Sequence, residues 1–134
     1  MMILQSTIIS QMKTLTPAEE QIMQVLWEIE QGFVKDILAR LPEPKPAYNT
    51  VSTVVRILET KGFADHKAYG KTHEYFPVIT REDYLKFTMS NMVEGYFGGS
   101  FKNLVSFFVK ENDLKLSDLD EVLKGNQKQK KSKP

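Results

Sequence analysis

Between Asn49 and Lys61 the chain gathers short hydrogen-bonding side chains and one guanidinium: Asn49, Thr50, Ser52, Thr53 and Arg56, with Lys61 at the end and no acid before Glu59. Hydroxyls and amides of this length reach phosphate oxygens and base edges, and an Arg can bond guanine in two places at once. Short side chains also let a helix sit deep in a groove. A helix that starts here adds its own partial positive charge for a phosphate. Solvated helix faces more usually carry Glu and Lys, so this composition points to a nucleic-acid contact. Two further cations, Lys67 and Lys71, flank a turn glycine, Gly70, where they could straddle a backbone beside the groove. Lysines at a hairpin tip also serve solubility alone, so they support the reading without specifying it.

The charge distribution agrees. Formal net charge over 134 residues is only +1. From Pro17 to Pro44, however, two basic residues face six acidic ones. From Lys45 to His73 five basic residues face two acidic ones. Segregation of this kind hides an electropositive face inside a near-neutral total.

Other chemistries find little support. There is no cysteine, which excludes disulfides, thiolate metal sites and a catalytic thiol. No Gly-rich phosphate loop, nucleophile elbow or His-Glu-x-x-His pattern is present, so no enzyme and no cofactor are expected. His66 and His73 are expected near each other across a hairpin, but with no third obvious ligand they make a poor metal site, and none is expected. The acids at Asp118, Asp120 and Glu121 suit the first turn of a helix. The apolar patch at Met1–Leu4 lacks a basic flank and a cleavage site, and no stretch approaches the ~20 apolar residues of a spanning helix, so no membrane insertion is expected.

The elements that must position these residues are legible from period. Thr16-Pro17-Ala18-Glu19 combines an N-cap Thr, Pro at the first helical position and Glu at the third, a capping box. Ile22, Val25, Leu26 and Ile29 then give one apolar face, and Gly32 is expected to stop the helix. Val34, Ile37, Leu38 and Leu41 repeat the spacing. Prolines 42, 44 and 46 interrupt it, and Val51, Val54, Val55 and Leu58 show it again, with Gly62 at a C′ position. Strand-like segments follow at Phe63–Lys67 and Thr72–Phe76. Helix, helix, helix, hairpin is the order of a winged helix-turn-helix, so the fold is expected to be mostly α with a small β-hairpin.

After the hairpin the helical pattern returns. Thr80 with Asp83 makes an N-cap, and Leu85, Met89, Met92, Val93 and Tyr96 form a stripe. Gly98-Gly99 breaks it, Ser100 caps a helix bearing Phe101, Leu104, Val105, Phe108 and Val109, and a last short helix runs from Ser117 to Lys124. Seven of the fourteen aromatics lie in this part of the chain. Helices this apolar need another surface, either their own domain or the same segment of a second chain. Pairing is the favoured outcome, because a dimer doubles the contacts over a palindrome. The candidate interface is Tyr96, Phe97, Phe101, Leu104, Val105, Phe108, Leu119 and Leu123. The expected organisation is a disordered arm over 1–13, a winged-helix domain over 14–79, a helical dimerisation domain over 80–125 and a basic disordered tail over 126–134. A winged-helix module that contacts proteins rather than DNA is the alternative, kept open by the acidic first half.

At Leu15–Glu19, Val25-Leu26-Trp27, Tyr48–Val51, Arg56–Phe63, His73–Pro77 and Gly98–Phe101 the chain resembles the penicillinase repressor family, from about Leu15 to about Lys124. The order and spacing of these stretches carry the resemblance rather than any one of them. It implies a cytoplasmic bacterial homodimer that binds a palindromic double-stranded DNA operator and represses genes, with the third helix in the major groove and the wing on the backbone. In the antibiotic-resistance branch, a membrane metalloprotease sensor acts indirectly and leads to cleavage of the repressor at an Asn-Phe bond. The matching position here is Ser106-Phe107, a departure at the bond itself. The copper-responsive branch uses a Cys-x-Cys pair that this chain lacks.

Overall fold

A computed structural model describes residues 12–115, 117–121 and 123–125. The tail expected over 126–134 and most of the arm expected over 1–13 lie outside the described residues. Met12, expected in that arm, is buried instead and joins the core.

The chain forms helices α1 (Pro17–Ile29), α2 (Val34–Arg40) and α3 (Tyr48–Thr60), then strands β1 (Ala64–Tyr69) and β2 (Thr72–Pro77), then α4 (Arg81–Tyr96) and α5 (Phe101–Glu111). Residues 117–121 and 123–125 are helical as well. The fold is the expected winged helix, mostly α with one hairpin.

Helices α1, α4 and α5 start at side-chain caps, whereas α2 and α3 start at Phe33 and Ala47 without one. The Thr16 hydroxyl accepts from the Glu19 amide at 3.2 Å, and the Glu19 carboxylate accepts from the Thr16 amide at 2.9 Å, closing the capping box of α1. Thr80 caps α4 and Ser100 caps α5 in the same manner. Helix α1 does not run to Gly32. It stops at Ile29, and Glu30 takes the left-handed conformation at φ 74°.

Gly32 has a different task. Its amide donates to the Tyr75 carbonyl and its carbonyl accepts from the Tyr75 amide, at 2.9 and 2.8 Å, so this loop adds a bridge to the edge of the hairpin. A Cβ at Gly32 would stand 2.7 Å from Ile29 Cδ1 and 3.2 Å from Asp36 Cβ. The site is tight rather than left-handed: a methyl there would need the end of the Ile29 side chain to rotate and Asp36 to give a few tenths of an ångström.

Strands β1 and β2 pair antiparallel from Ala64 opposite Pro77 to Tyr69 opposite Thr72. Strand β1 begins one residue later and ends two residues later than the sequence pattern suggests. Gly70 and Lys71 alone make the turn, and Gly70 supplies the positive φ of 64°. A positive φ at only the first of two loop residues is the II′ arrangement, which matches the twist of the flanking strands.

The chain divides into two compact units, one ending at Met89 and one beginning at Ser90. In the first, the three apolar stripes meet: Met23, Leu26, Ile37, Val51, Val55, Leu58 and Phe63 are fully enclosed. Tyr84 from the start of α4 joins them, packing beside Trp27, Phe63 and Phe87. Its hydroxyl accepts from the Leu15 amide at 3.0 Å, and the Trp27 indole donates to the Ile79 carbonyl at 2.9 Å. Both polar tips are satisfied inside an aromatic cluster, as burial demands.

The second unit is built differently. Phe97 and Phe107 pack at 5.6 Å between ring centroids, yet α5 has no buried residue. An 11-residue helix with its apolar face in water is marginal by itself.

Candidate nucleic-acid interface

Helix α3 buries Val51, Val55 and Leu58 and turns the opposite face outward. Asn49, Thr50, Thr53 and Arg56 are exposed there, and Ser52 is half-buried at the edge. Two of these side chains are held by their own helix. The Thr53 hydroxyl donates to the Asn49 carbonyl at 2.9 Å, and the Arg56 guanidinium donates to the Ser52 hydroxyl at 3.1 Å. The guanidinium is thus tethered against the helix surface by a neutral partner that a base or phosphate could replace.

Tyr48 and Lys35, outside the sequence-predicted site, belong to the same face. Tyr48, half exposed at the first position of α3, stands with Ser52 beside Lys35 of α2 and with Lys71, Thr72 and His73 of the hairpin around an open cleft of about 300 Å³. Phe33, Val34 and Tyr75 floor it. Lys35 had been counted with the acidic half of the chain, and only the packing of α2 against the hairpin places it among these cations. The cleft therefore sits where helix and wing converge, with hydroxyls and two ammonium groups around its rim.

Not every expected residue points there. Lys61 Nζ is 2.7 Å from Glu19 Oε1, with 22% of its side chain exposed. It clamps the end of α3 to the start of α1 and is no free phosphate ligand. Burial alone would raise the Glu19 carboxyl, but the hydrogen bonds from Lys61 and Thr16 outweigh it and hold the group below the usual carboxylate range. Lys45, part of the basic tally, caps α2: its Nζ donates to the carbonyls of Leu38, Ala39 and Leu41 at 2.7–3.1 Å. Lys67 and Lys71 are exposed on the wing, and Lys67 Nζ lies 5.4 Å from the centre of the Tyr69 ring.

The hairpin base holds the two histidines in contact. Their rings stack at 3.9 Å with an interplanar angle of 7°. His66 Nδ1 lies 2.7 Å from Glu59 Oε1, so a carboxylate from α3 faces the imidazole that seemed to lack a further partner. Tyr75 is buried beside them, and burial with the nearby Glu59 charge pushes its phenol up, against the opposing pull of Arg56.

The candidate interface residues of the second unit are largely in water. Tyr96 is 83% exposed and Phe101, Val105, Phe108 and Leu123 are roughly half exposed, while Phe97, Leu104 and Leu119 are half-buried. Ser106 and Phe107 are exposed in the middle of α5. In α4 the stripe is exposed at Leu85, Met89 and Met92, and Val93 is its one buried member.

A sequence model described as penicillinase repressor matches residues 15–125. The chain belongs to the penicillinase repressor family. Among curated relatives, the methicillin resistance regulatory protein MecI of Staphylococcus aureus strain N315 is 26% identical over 109 residues, covering 81% of this chain and 89% of that one. MecI of Mammaliicoccus sciuri is 25% identical over the same length and coverage. The penicillinase repressor of Bacillus licheniformis is 21% identical over 109 residues, covering 81% of this chain and 85% of its own. This repressor family is one of transcriptional regulators rather than enzymes, and the match spans both compact units. Among the described residues no helix is long and apolar enough to cross a membrane.

Proposed function

We propose that this member of the family is a cytoplasmic, dimeric transcriptional repressor that binds a palindromic operator. Helix α3 enters the major groove, with Arg56 and Thr53 at base edges. Asn49, Thr50, Lys67 and Lys71 hold the phosphate backbone, and Ser52, Tyr48 and Lys35 extend that contact around the cleft between helix and wing. The single observation that carries this reading is the exposed face of α3, acid-free up to Glu59 and armed with a tethered guanidinium. The domains follow the same division of labour: a winged helix for DNA and a following helical segment for pairing.

The dimer reading rests on the apolar surface of α5 together with Leu119 and Leu123. Fully burying a Phe or Leu is worth about 1.5–3 kcal/mol, so several of them together offset the cost of association. Release by cleavage at Ser106–Phe107 would require α5 to unwind first, because that bond lies within a hydrogen-bonded helix. A membrane metalloprotease sensor acting indirectly is therefore a partner that the family resemblance alone supports.

Selection of bound sequences from random double-stranded DNA tests the proposal. It expects an inverted repeat and binding that weakens steeply with salt, since released counterions drive the phosphate contacts. Recovery of no sequence, with binding indifferent to salt, would favour the protein-interaction module instead.

A further inference from the structure

We propose that Glu59, Asp65 and His66 form a binding site for a divalent transition-metal ion of the zinc class, set at the corner where α3 turns into the hairpin. One ligand atom from each residue lies within 4.8 Å of the others. His66 Nδ1 is 2.7 Å from Glu59 Oε1 and 4.0 Å from Asp65 Oδ1. In a tetrahedral shell with bonds near 2.0–2.1 Å, neighbouring ligand atoms stand about 3.3 Å apart. The first distance must open and the second close by less than about 1 Å, and the Glu59–Asp65 separation, within 4.8 Å, must close by no more than about 1.5 Å.

The surroundings orient the ligands. His73 stacks flat on His66 and Tyr75 packs beside both, so the His66 ring is held with Nδ1 toward Glu59. Asp65 Oδ1 accepts from the His66 amide at 2.7 Å, which keeps the second carboxylate beside the ring. Imidazole nitrogen and carboxylate oxygen are both zinc donors, three of them leave the fourth position to water, and the nitrogen sets the site apart from the all-oxygen shells of calcium or magnesium. Because Glu59 lies in the last turn of α3 and the other two ligands lie in β1, a bound ion would tie helix to wing. Any effect on DNA binding rests on the functional reading above; the metal site does not.

Calorimetric titration of the untagged full chain with Zn²⁺, and absorption with Co²⁺ as a coloured probe, test the site. The chain has two histidines and no cysteine, so background binding is small. One ion per chain is expected, with a visible four-coordinate Co²⁺ spectrum. Glu59→Gln and Asp65→Asn should each weaken binding at least about a hundredfold, the upper end of the roughly 10- to 100-fold that loss of an outer-sphere partner costs. Asp65 is mostly exposed, so its variant tests the site even if the Glu59 variant folds poorly. His73→Phe keeps a stacking ring and should leave the stoichiometry at one. No saturable binding by the wild type, or affinity unchanged in Asp65→Asn, overturns the proposal and leaves His66–Glu59 as a simple hydrogen bond.

Discussion

Replacing Glu19 probes how the DNA-facing helix is held. The carboxylate accepts from Thr16 N–H at 2.9 Å and from Lys61 Nζ at 2.7 Å, and its residue is 5% exposed. Glu19→Ala removes half of a capping box, about 0.5–1 kcal/mol. It also removes a charge-assisted hydrogen bond, about 1.5–3 kcal/mol. Lys61 keeps 22% of its side chain in solvent and can recover some hydration, so the lower end of that range applies. The sum is about 2–3 kcal/mol, or a fall in Tm of roughly 10 °C for a chain of this size. Glu19→Gln keeps both acceptor contacts as neutral ones and should cost about half as much.

The acid limb gives a sharper check. The folded-state carboxyl is held below its unfolded value, so its contribution is complete above about pH 4.5 and is lost as pH falls through the folded pKa. Wild type and Glu19→Gln should therefore converge in stability as pH drops below about 4.5. Urea unfolding followed by circular dichroism at pH 7 and on the acid side measures both effects. A loss below about 0.5 kcal/mol for Glu19→Ala, or a gap to Glu19→Gln that does not shrink in acid, refutes the ion pair as the clamp between α1 and α3.

Arg56→Ala should weaken specific DNA binding by about 1–3 kcal/mol, roughly 5- to 150-fold, whereas Lys71→Ala should weaken all sequences alike and reduce the salt slope by about one; footprinting and salt titration separate the two. Phe108→Asp places a charge on an exposed apolar face and should shift sedimentation toward a single chain without altering the unfolding of the first unit. Gly32→Ala meets the movable end of Ile29 at 2.7 Å and Asp36 Cβ at 3.2 Å, so it should change stability by less than about 1 kcal/mol in a denaturant titration.

What could be read without coordinates had a periodic or a capping signature. Three stripes at i, i+3, i+4 and i+7 located α1 to α3, because a helix with one apolar face has a single way to present it. Thr16, Thr80 and Ser100 marked helix starts because an N-cap is a local bond, formed within three residues of chain. The outward face of α3 followed by subtraction: what the stripe does not bury must point elsewhere. The exposed apolar residues of α5 were foreseen on the same logic, since the winged helix closes its core without them.

What only the tertiary structure decided was the partner of each charged group. Lys61 and Lys45 are cations like Lys67 and Lys71 in the sequence, yet the first is spent on Glu19, 42 residues away, and the second on carbonyls of α2. Gly32 read as a helix stop, while in the structure its backbone pairs with Tyr75 on a strand 43 residues on. Tyr84 could not be assigned to the core by period, because it lies off the apolar stripe of its own helix and packs through neighbours on α1 and beside β1. The carboxylate of Glu59 meets His66 only because Gly62 turns the chain at φ 84° and folds β1 back toward the end of α3. Sequence by itself determines which residues α1 to α3 hide, though not those of α4, where Tyr84 is buried off the stripe and Leu85, Met89 and Met92 on it are exposed. Distances between elements, and therefore which cations are free for DNA and which side chains share an ion, exist only once those elements pack.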